Sequence, residues 1–146
     1  MIAALRLQGV QPMAADGLIT IQSSYGPADT MSRLEADVRA KGMTVFARVD
    51  HAAGAAGVGL PLRPTELLVF GNAKGGTPLM QSDQTIGIDL PLKALVWQDA
   101  SGSTWLSYND PGWLVNRYGL GHESDAVVNA MAAALDALAR TASAAS

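Results

Sequence analysis

The segment Leu67-Leu68-Val69-Phe70, set between Pro64 and Gly71-Asn72, constrains the fold of this chain more than any other. Four large apolar residues in succession, bounded by helix-breaking residues, are too short for a helix and show no polar alternation. They predict a central strand buried on both faces, with Val69 and Phe70 both inside. Such a strand needs neighbours, and the chain supplies them. Leu18 to Ser23, after Gly17, is rich in β-branched residues and reads as a first strand. Residues 44–49 read as a second, with Val45, Ala47 and Val49 on one face and Thr44, Phe46 and Arg48 on the other. Residues 92–97 and 103–108 flank Asp99-Ala100-Ser101-Gly102, a turn of hairpin length.

Helical spacing appears between these strands. Met31, Leu34 and Val38 share one face of a helix over 28–41, with Pro27 in its first turn, Asp29 near its positive end and Lys41-Gly42 as its stop. Asp50 is placed to cap a short alanine-rich helix over 51–57, and Asp110-Pro111 to start another. Residues 73–91 hold glycines and prolines and predict one or two helical turns. A long helix over 124–140 carries Val127, Val128, Met131, Leu135 and Leu138, widened by Ala130, Ala132, Ala133, Ala134 and Ala137. So many small residues permit close approach on more than one side, for the core alone or for the core and a partner subunit. Segments 18–50 and 66–97 share a β–α–β order, but their residues do not match and no repeat is visible. The reading is one α+β domain: a sheet of about five strands, antiparallel or mixed, with the 28–41 and 124–140 helices packed on one face. The domain spans 17–140, with a flexible lead-in over 1–16 and a disordered tail over 141–146.

Composition narrows function mainly by exclusion. With 146 residues and 49% hydrophobic content, the chain is large enough to fold without a metal or disulfide. It has no cysteine, which removes disulfides, thiol nucleophiles and thiolate metal sites, and two histidines cannot build a three-histidine centre. No metal or cofactor is expected. A net charge of −3 gives no basic field for nucleic acid. The early apolar run is broken by Arg6, Gln8 and Gly9, and no stretch reaches the ~20 apolar residues of a membrane span. A cytoplasmic protein without membrane contact is expected.

Several polar residues qualify for chemistry. His51 stands where a strand meets a helix N-terminus, which favours a neutral imidazole suited to a general base or ligand donor. Glu66 opens the apolar strand, so it needs a partner; the choices are His51, as an acid–base pair, or a salt bridge with Arg48 or Arg63. Lys93 interrupts an apolar strand, either as an anion reader or as a snorkelling edge residue. Tyr108 and Asn109 sit at a strand-to-helix corner where a phenol and an amide can face a pocket. Gly71-Asn72-Ala73-Lys74-Gly75-Gly76-Thr77 lacks the spacing of a phosphate loop, since Lys74 precedes the glycine pair, and reads as a tight loop with left-handed glycines. Trp97, Trp105 and Trp113 read as core or interface, and His122 as solvated.

Asp50-His51, the run from Leu62 to Asn72, Gly76-Thr77-Pro78-Leu79-Met80, Asp89-Leu90-Pro91-Leu92-Lys93 and Ser107-Tyr108-Asn109-Asp110-Pro111 follow one another in a fixed order. Together they resemble the bacterial and archaeal domain-of-unknown-function family numbered 302, over roughly residues 17–140. Ala73, where proline is expected, and Gln98, where an acidic residue is common, depart from its pattern. The resemblance implies a small, dimeric α+β domain without established activity, and it transfers no catalytic residues. The expectation is therefore a homodimeric module that binds a small, mainly apolar or carboxylate-bearing ligand, with His51, Glu66, Lys93, Tyr108 and Asn109 around it. His51 is expected to line the pocket. One alternative is a small enzyme using His51 as general base with Glu66 or Tyr108. Another is a purely structural or partner-binding subunit. Convergence of those three side chains around a cavity separates the readings.

Overall fold

A computed structural model of the chain describes residues 15–145. Leu18–Ser23 (β1), Thr44–Asp50 (β2), Thr65–Gly71 (β3), Leu92–Gln98 (β4) and Thr104–Asn109 (β5) form one sheet in the order β1-β5-β4-β3-β2. Every neighbouring pair is antiparallel. β2 to β5 make a meander and β1 returns beside β5. The two β–α–β segments thus give no parallel pair: β1 and β2 lie at opposite edges, while β3 and β4 are antiparallel neighbours.

Among the described residues, five α-helices connect or cover the strands: Pro27–Ala40 (α1), His51–Gly57 (α2), Ala73–Ser82 (α3), Pro111–Arg117 (α4) and Asp125–Ser143 (α5). Short 3-10 turns occupy Gln84–Ile88 and His122–Ser124. α1 ends as its sequence foretells. Gly42 takes φ +76°, and the Met43 N–H returns to the Val38 carbonyl at 3.2 Å. Asp50 accepts from Ala53 N at 2.9 Å and Asp110 from Gly112 N at 3.2 Å, the two expected caps.

The core lies between the sheet and the pair α1 and α5. Leu68, Phe70, Ala94, Val96, Leu106 and Tyr108 meet Met31, Leu34 and Val38 of α1, and Leu135, Leu138, Ala139 and Ala142 of α5. Their shared direction follows from the period-two register of β3, β4 and β5. Leu67, Val69 and Leu95 alternate with them and stay half-buried. The apolar run of β3 is therefore not buried on both faces. Phe70 is fully enclosed, whereas Val69 is not, because the long helices occupy a single side.

Three further expectations are corrected. The register between β2 and β3 shifts between Val45 and Ala47, so Val45 faces Phe70 and Arg48 faces Leu68. This bulge at Phe46 adds one residue and breaks the even alternation, placing Val45 with Arg48 rather than with Ala47 and Val49. Residues 73–82 form a ten-residue helix where one or two turns were expected, and Gly75 and Gly76 have no positive φ. The last helix continues to Ser143 instead of stopping at 140. Ala142 and Ser143 are buried, and Ser143 accepts from Ser24 N at 2.7 Å, so the tail begins three residues later than expected.

Most of the proposed lead-in, residues 1–14, lies outside the described residues. Gly17, at φ +76°, lies against Trp113, where an added Cβ would stand 2.2 Å from the indole Cγ. At the other end of the sheet, Asp99 closes the β4–β5 turn. Hydrogen bonds from the Trp105 indole and Ser101 hold its carboxyl down to about 2. Trp105 also stacks on Trp97, with centroids 6.1 Å apart.

The one-sided core gives a direct stability contrast. Phe70→Ala should cost about 3–5 kcal/mol, the range for an emptied aromatic core site. Val69→Ala, on the half-buried face, should cost about 1 kcal/mol. Urea unfolding of the two variants measures the difference; equal losses would show that both faces are enclosed.

Candidate functional site

α3 begins where β3 ends. Asn72 Oδ1 accepts from Gly75 N at 2.7 Å, an N-cap that starts a helix containing Gly75, Gly76 and an internal Pro78. These are poor helix formers, since glycine loses backbone entropy and Pro78 removes an intrahelical bond. At both glycines the helix meets its neighbours at ordinary contact distance. A Cβ on Gly75 would stand 3.5 Å from Met131 Cε of α5, and one on Gly76 would stand 3.7 Å from Leu90 Cδ1.

Beside this contact a cavity of about 690 Å³ opens between α3, α5 and one end of the sheet. That volume lies within the ~300–1,000 Å³ common for small-molecule sites. Met43 and the bulged Phe46 form one rim, and Phe46 is 56% exposed. Leu90, Pro91 and Leu92 make a second wall, with Met80 and Met131 between. Ala126, Ala130 and Ala134 supply the α5 wall as a row at i, i+4, i+8. Ala130 and Ala134, expected to accept close packing, line open space here. Few polar groups enter: Asn72, whose oxygen is engaged as a cap, Thr77 and Lys74.

Asp89 anchors the Leu90-Pro91 wall to α4. Its carboxylate accepts from Arg117 Nη1 at 2.9 Å and from the Tyr118 hydroxyl in a short hydrogen bond. That carboxylate holds the Tyr118 phenol above its ordinary value of 10.

The side chains singled out from sequence are not gathered here. His51 is exposed at the start of α2 and lines neither this cavity nor the smaller cleft described below. His51 was expected at a pocket, but α2 turns its first residue to solvent, so it lines neither of these two. Glu66 pairs with Arg48 in a fork, Nε to Oε2 at 2.5 Å and Nη2 to Oε1 at 3.1 Å. Arg48 also reaches Glu35 of α1 at 3.0 Å. Of the two roles weighed for Glu66, the geometry gives the salt bridge. The bond from Glu66 is the first cause raising Arg48, and bonds from Arg39 and then Arg48 lower Glu35.

Tyr108 lies in the core two strands from Glu66, with its phenol raised by burial first and by Asp136 of α5 second. β4 separates the two residues, a gap of about 10 Å across the sheet. Among the described residues no hydrogen bond joins His51 to Glu66 or Tyr108, and the Glu66 carboxylate is taken by Arg48. Lys93 and Asn109 do meet, with Asp89 and Leu114, around a cleft of about 10 Å³. That is room for about one water. Lys93 donates to the Asp89 carbonyl at 3.3 Å. Among the described residues, no group of three or more His, Asp or Glu is placed to hold a metal ion.

Met43, Phe46, Lys74, Met80 and Met131 escaped the sequence reading. The alanines of the last helix, Ala130 and Ala134 among them, were the one visible signal, and they were read as a packing surface.

The fold and the cavity together define an α+β domain with one covered sheet face and an apolar groove at one end. Residues 19–138 match the family described as Domain of unknown function DUF302, and the chain belongs to that family. A crystal structure of an uncharacterized conserved DUF302 protein from Bacillus stearothermophilus has the same fold. Its TM-score is 0.77 at 22% identity, covering 88% of this chain and 99% of that one. The chain is also 51% identical over 123 residues to a protein of Brucella suis biovar 1 (strain 1330) named Fluoride-specific ion channel FluC 1. The match covers 82% of this chain and 48% of that protein. A Brucella melitensis biotype 1 protein named Fluoride-specific ion channel FluC 2 matches at the same identity, with 46% of its length covered. The chain thus spans about half the length of these curated relatives.

The Asp89 anchor has a spectroscopic consequence. Asp89→Asn should lower the titration midpoint of Tyr118 toward ~10, because the carboxylate that opposes phenolate formation is gone. Tyr108, raised mainly by burial, should not move. Absorbance at 295 nm through alkaline pH reads both phenols, and an unchanged profile would remove Asp89 from this role.

Proposed function

We propose that this domain is a non-catalytic module that holds a small, mainly apolar molecule in the groove between α3 and α5. The observation that carries the reading is a cavity of about 690 Å³ walled by alanine, methionine and leucine beside dispersed polar candidates. An acid–base enzyme needs its groups free and within reach of one another; β4 separates Glu66 from Tyr108, and Glu66 is already paired with Arg48. Methionines at 43, 80 and 131 suit a site that adapts to ligand shape, since the thioether side chain is flexible and polarizable.

The reading includes a two-fold homodimer in the cytoplasm. β2 is an edge strand, and an edge offers unpaired backbone groups to a second copy. Val49 on that strand, with Val58, Leu60 and Leu62 after α2, is exposed. The relatives named as fluoride channels are about twice the length of the match, and among the described residues no helix is long and apolar enough to cross a membrane. Those two facts support an accessory role for this domain beside a channel rather than the conducting role itself.

Native mass spectrometry of the freshly purified protein tests the binding function. A retained small molecule is expected, absent from Ala130→Trp, which fills the groove, and kept in His51→Ala. No adduct, or one indifferent to Ala130→Trp, would overturn the reading. Light scattering at tens of micromolar should give twice the 15.1 kDa chain mass; a monomer would remove the dimer from the proposal. Cell fractionation checks the compartment, where recovery outside the soluble cytoplasmic fraction counts against it.

A further inference from the structure

Lys74 sets the chemistry of the ligand. Nine lysines and arginines fall among the described residues, the ten of the chain less Arg6. Eight of them donate to an acceptor within the protein. Arg33, Arg39, Lys41, Arg48, Arg117 and Arg140 meet carboxylates, and Arg63 and Lys93 meet carbonyls. Lys74 alone does neither among the described residues. Among the described residues it is also the only charged side chain that lines the groove.

Its position gives the charge a direction. Lys74 is the second residue of α3, on the same helix wall as Thr77, whose hydroxyl lies one turn further on. Asn72 beside them is engaged as the cap. The remaining walls present methyl, methylene and thioether groups, and the Ala126–Ala130–Ala134 row gives a smooth trough along α5. A ligand that fills this space has a long apolar body. A ligand that also answers the unpaired ammonium has one negative charge at one end.

We infer that the groove binds a free, medium-chain carboxylic acid, its hydrocarbon chain between Met80, Met131 and the α5 alanines and its carboxylate at Lys74 and Thr77. This rests on the proposal that the groove is a ligand site and adds the class of ligand. An ionised carboxylate meeting an ammonium makes a charge-assisted hydrogen bond, stronger than a neutral one. The exposure of Lys74 keeps that bond partly solvated and moderates its worth.

Methyl-13C methionine NMR tests the inference at the site. Decanoate and 1-decanol, equal in chain length, are titrated separately into the whole chain at pH 8. The methyl signals of Met43, Met80 and Met131 should move with both, and that of Met31, sealed in the core, should not. Lys74→Met should weaken decanoate about three- to fivefold, consistent with loss of a partly solvated ion pair, and change decanol less than about twofold. Lys74→Arg should restore most of the decanoate affinity. If Lys74→Met weakens both probes alike, or neither, the inference is overturned while the apolar site stands. If decanol moves the three groove methyls and decanoate does not, the inference is likewise overturned. If neither probe moves them, the ligand site fails, and the inference with it.

Discussion

The burial of one sheet face beneath α1 and α5 is the constraint on which the rest of the structure depends. Phe70, Leu68, Val96 and Leu106 are 1% exposed or less, and each meets helix residues that are as deeply enclosed. The antiparallel order, with α2 and α3 inside the connections and a short turn only between β4 and β5, leaves β1 and β2 at the two edges, so α1 must carry the chain across the covered face between them. α5 then packs beside α1 and pins its own end, through Ser143, to the residue after β1. With those two helices fixed, the space between α5 and the start of α3 is a consequence of side-chain size. Alanine at 126, 130 and 134 fills less of it than leucine would.

Much of this was legible because it rests on local rules. The strands over 18–23, 66–70 and 92–97, the α1 stripe with its Gly42 stop, and the caps at Asp50 and Asp110 each follow from a few neighbouring residues. Two features were not local. The bulge at Phe46 appears only when β2 is paired with β3, and it reverses which residues of β2 face the helices. The helix over Ala73–Ser82 runs against the propensities of Gly75, Gly76 and Pro78. Asn72 caps its start, and Gly75 and Gly76 lie beside Met131 and Leu90, contacts that sequence spacing does not contain.

The candidate site was less legible than the fold, for a related reason. Sequence reading favours residues that carry chemistry, and in this protein most of those serve the structure. Glu66 and Arg48 tie β3 to β2, and through Glu35 to α1. Asp89 ties a cavity wall to α4, and Asp99 orders a turn. A site built from alanine, methionine and one lysine leaves little mark in a sequence already rich in apolar residues. Lys74 stood inside a segment dismissed as a phosphate loop; that dismissal was sound on spacing, yet it took attention from the residue itself. That Lys74 joins no ion pair among the described residues is visible only once the other charges are placed.

The central claim is that the groove between α3 and α5, rather than the surroundings of His51, is the functional centre of the domain. Crystals grown with 10-bromodecanoate test it most directly, because the bromine gives an anomalous signal wherever the chain end rests. The account predicts one bromine peak inside the groove, among Met80, Met131 and the alanines of α5, with the carboxylate near Lys74. A peak beside His51, one on the half-buried face formed by Leu67, Val69 and Leu95, or an empty groove at saturating ligand would contradict it.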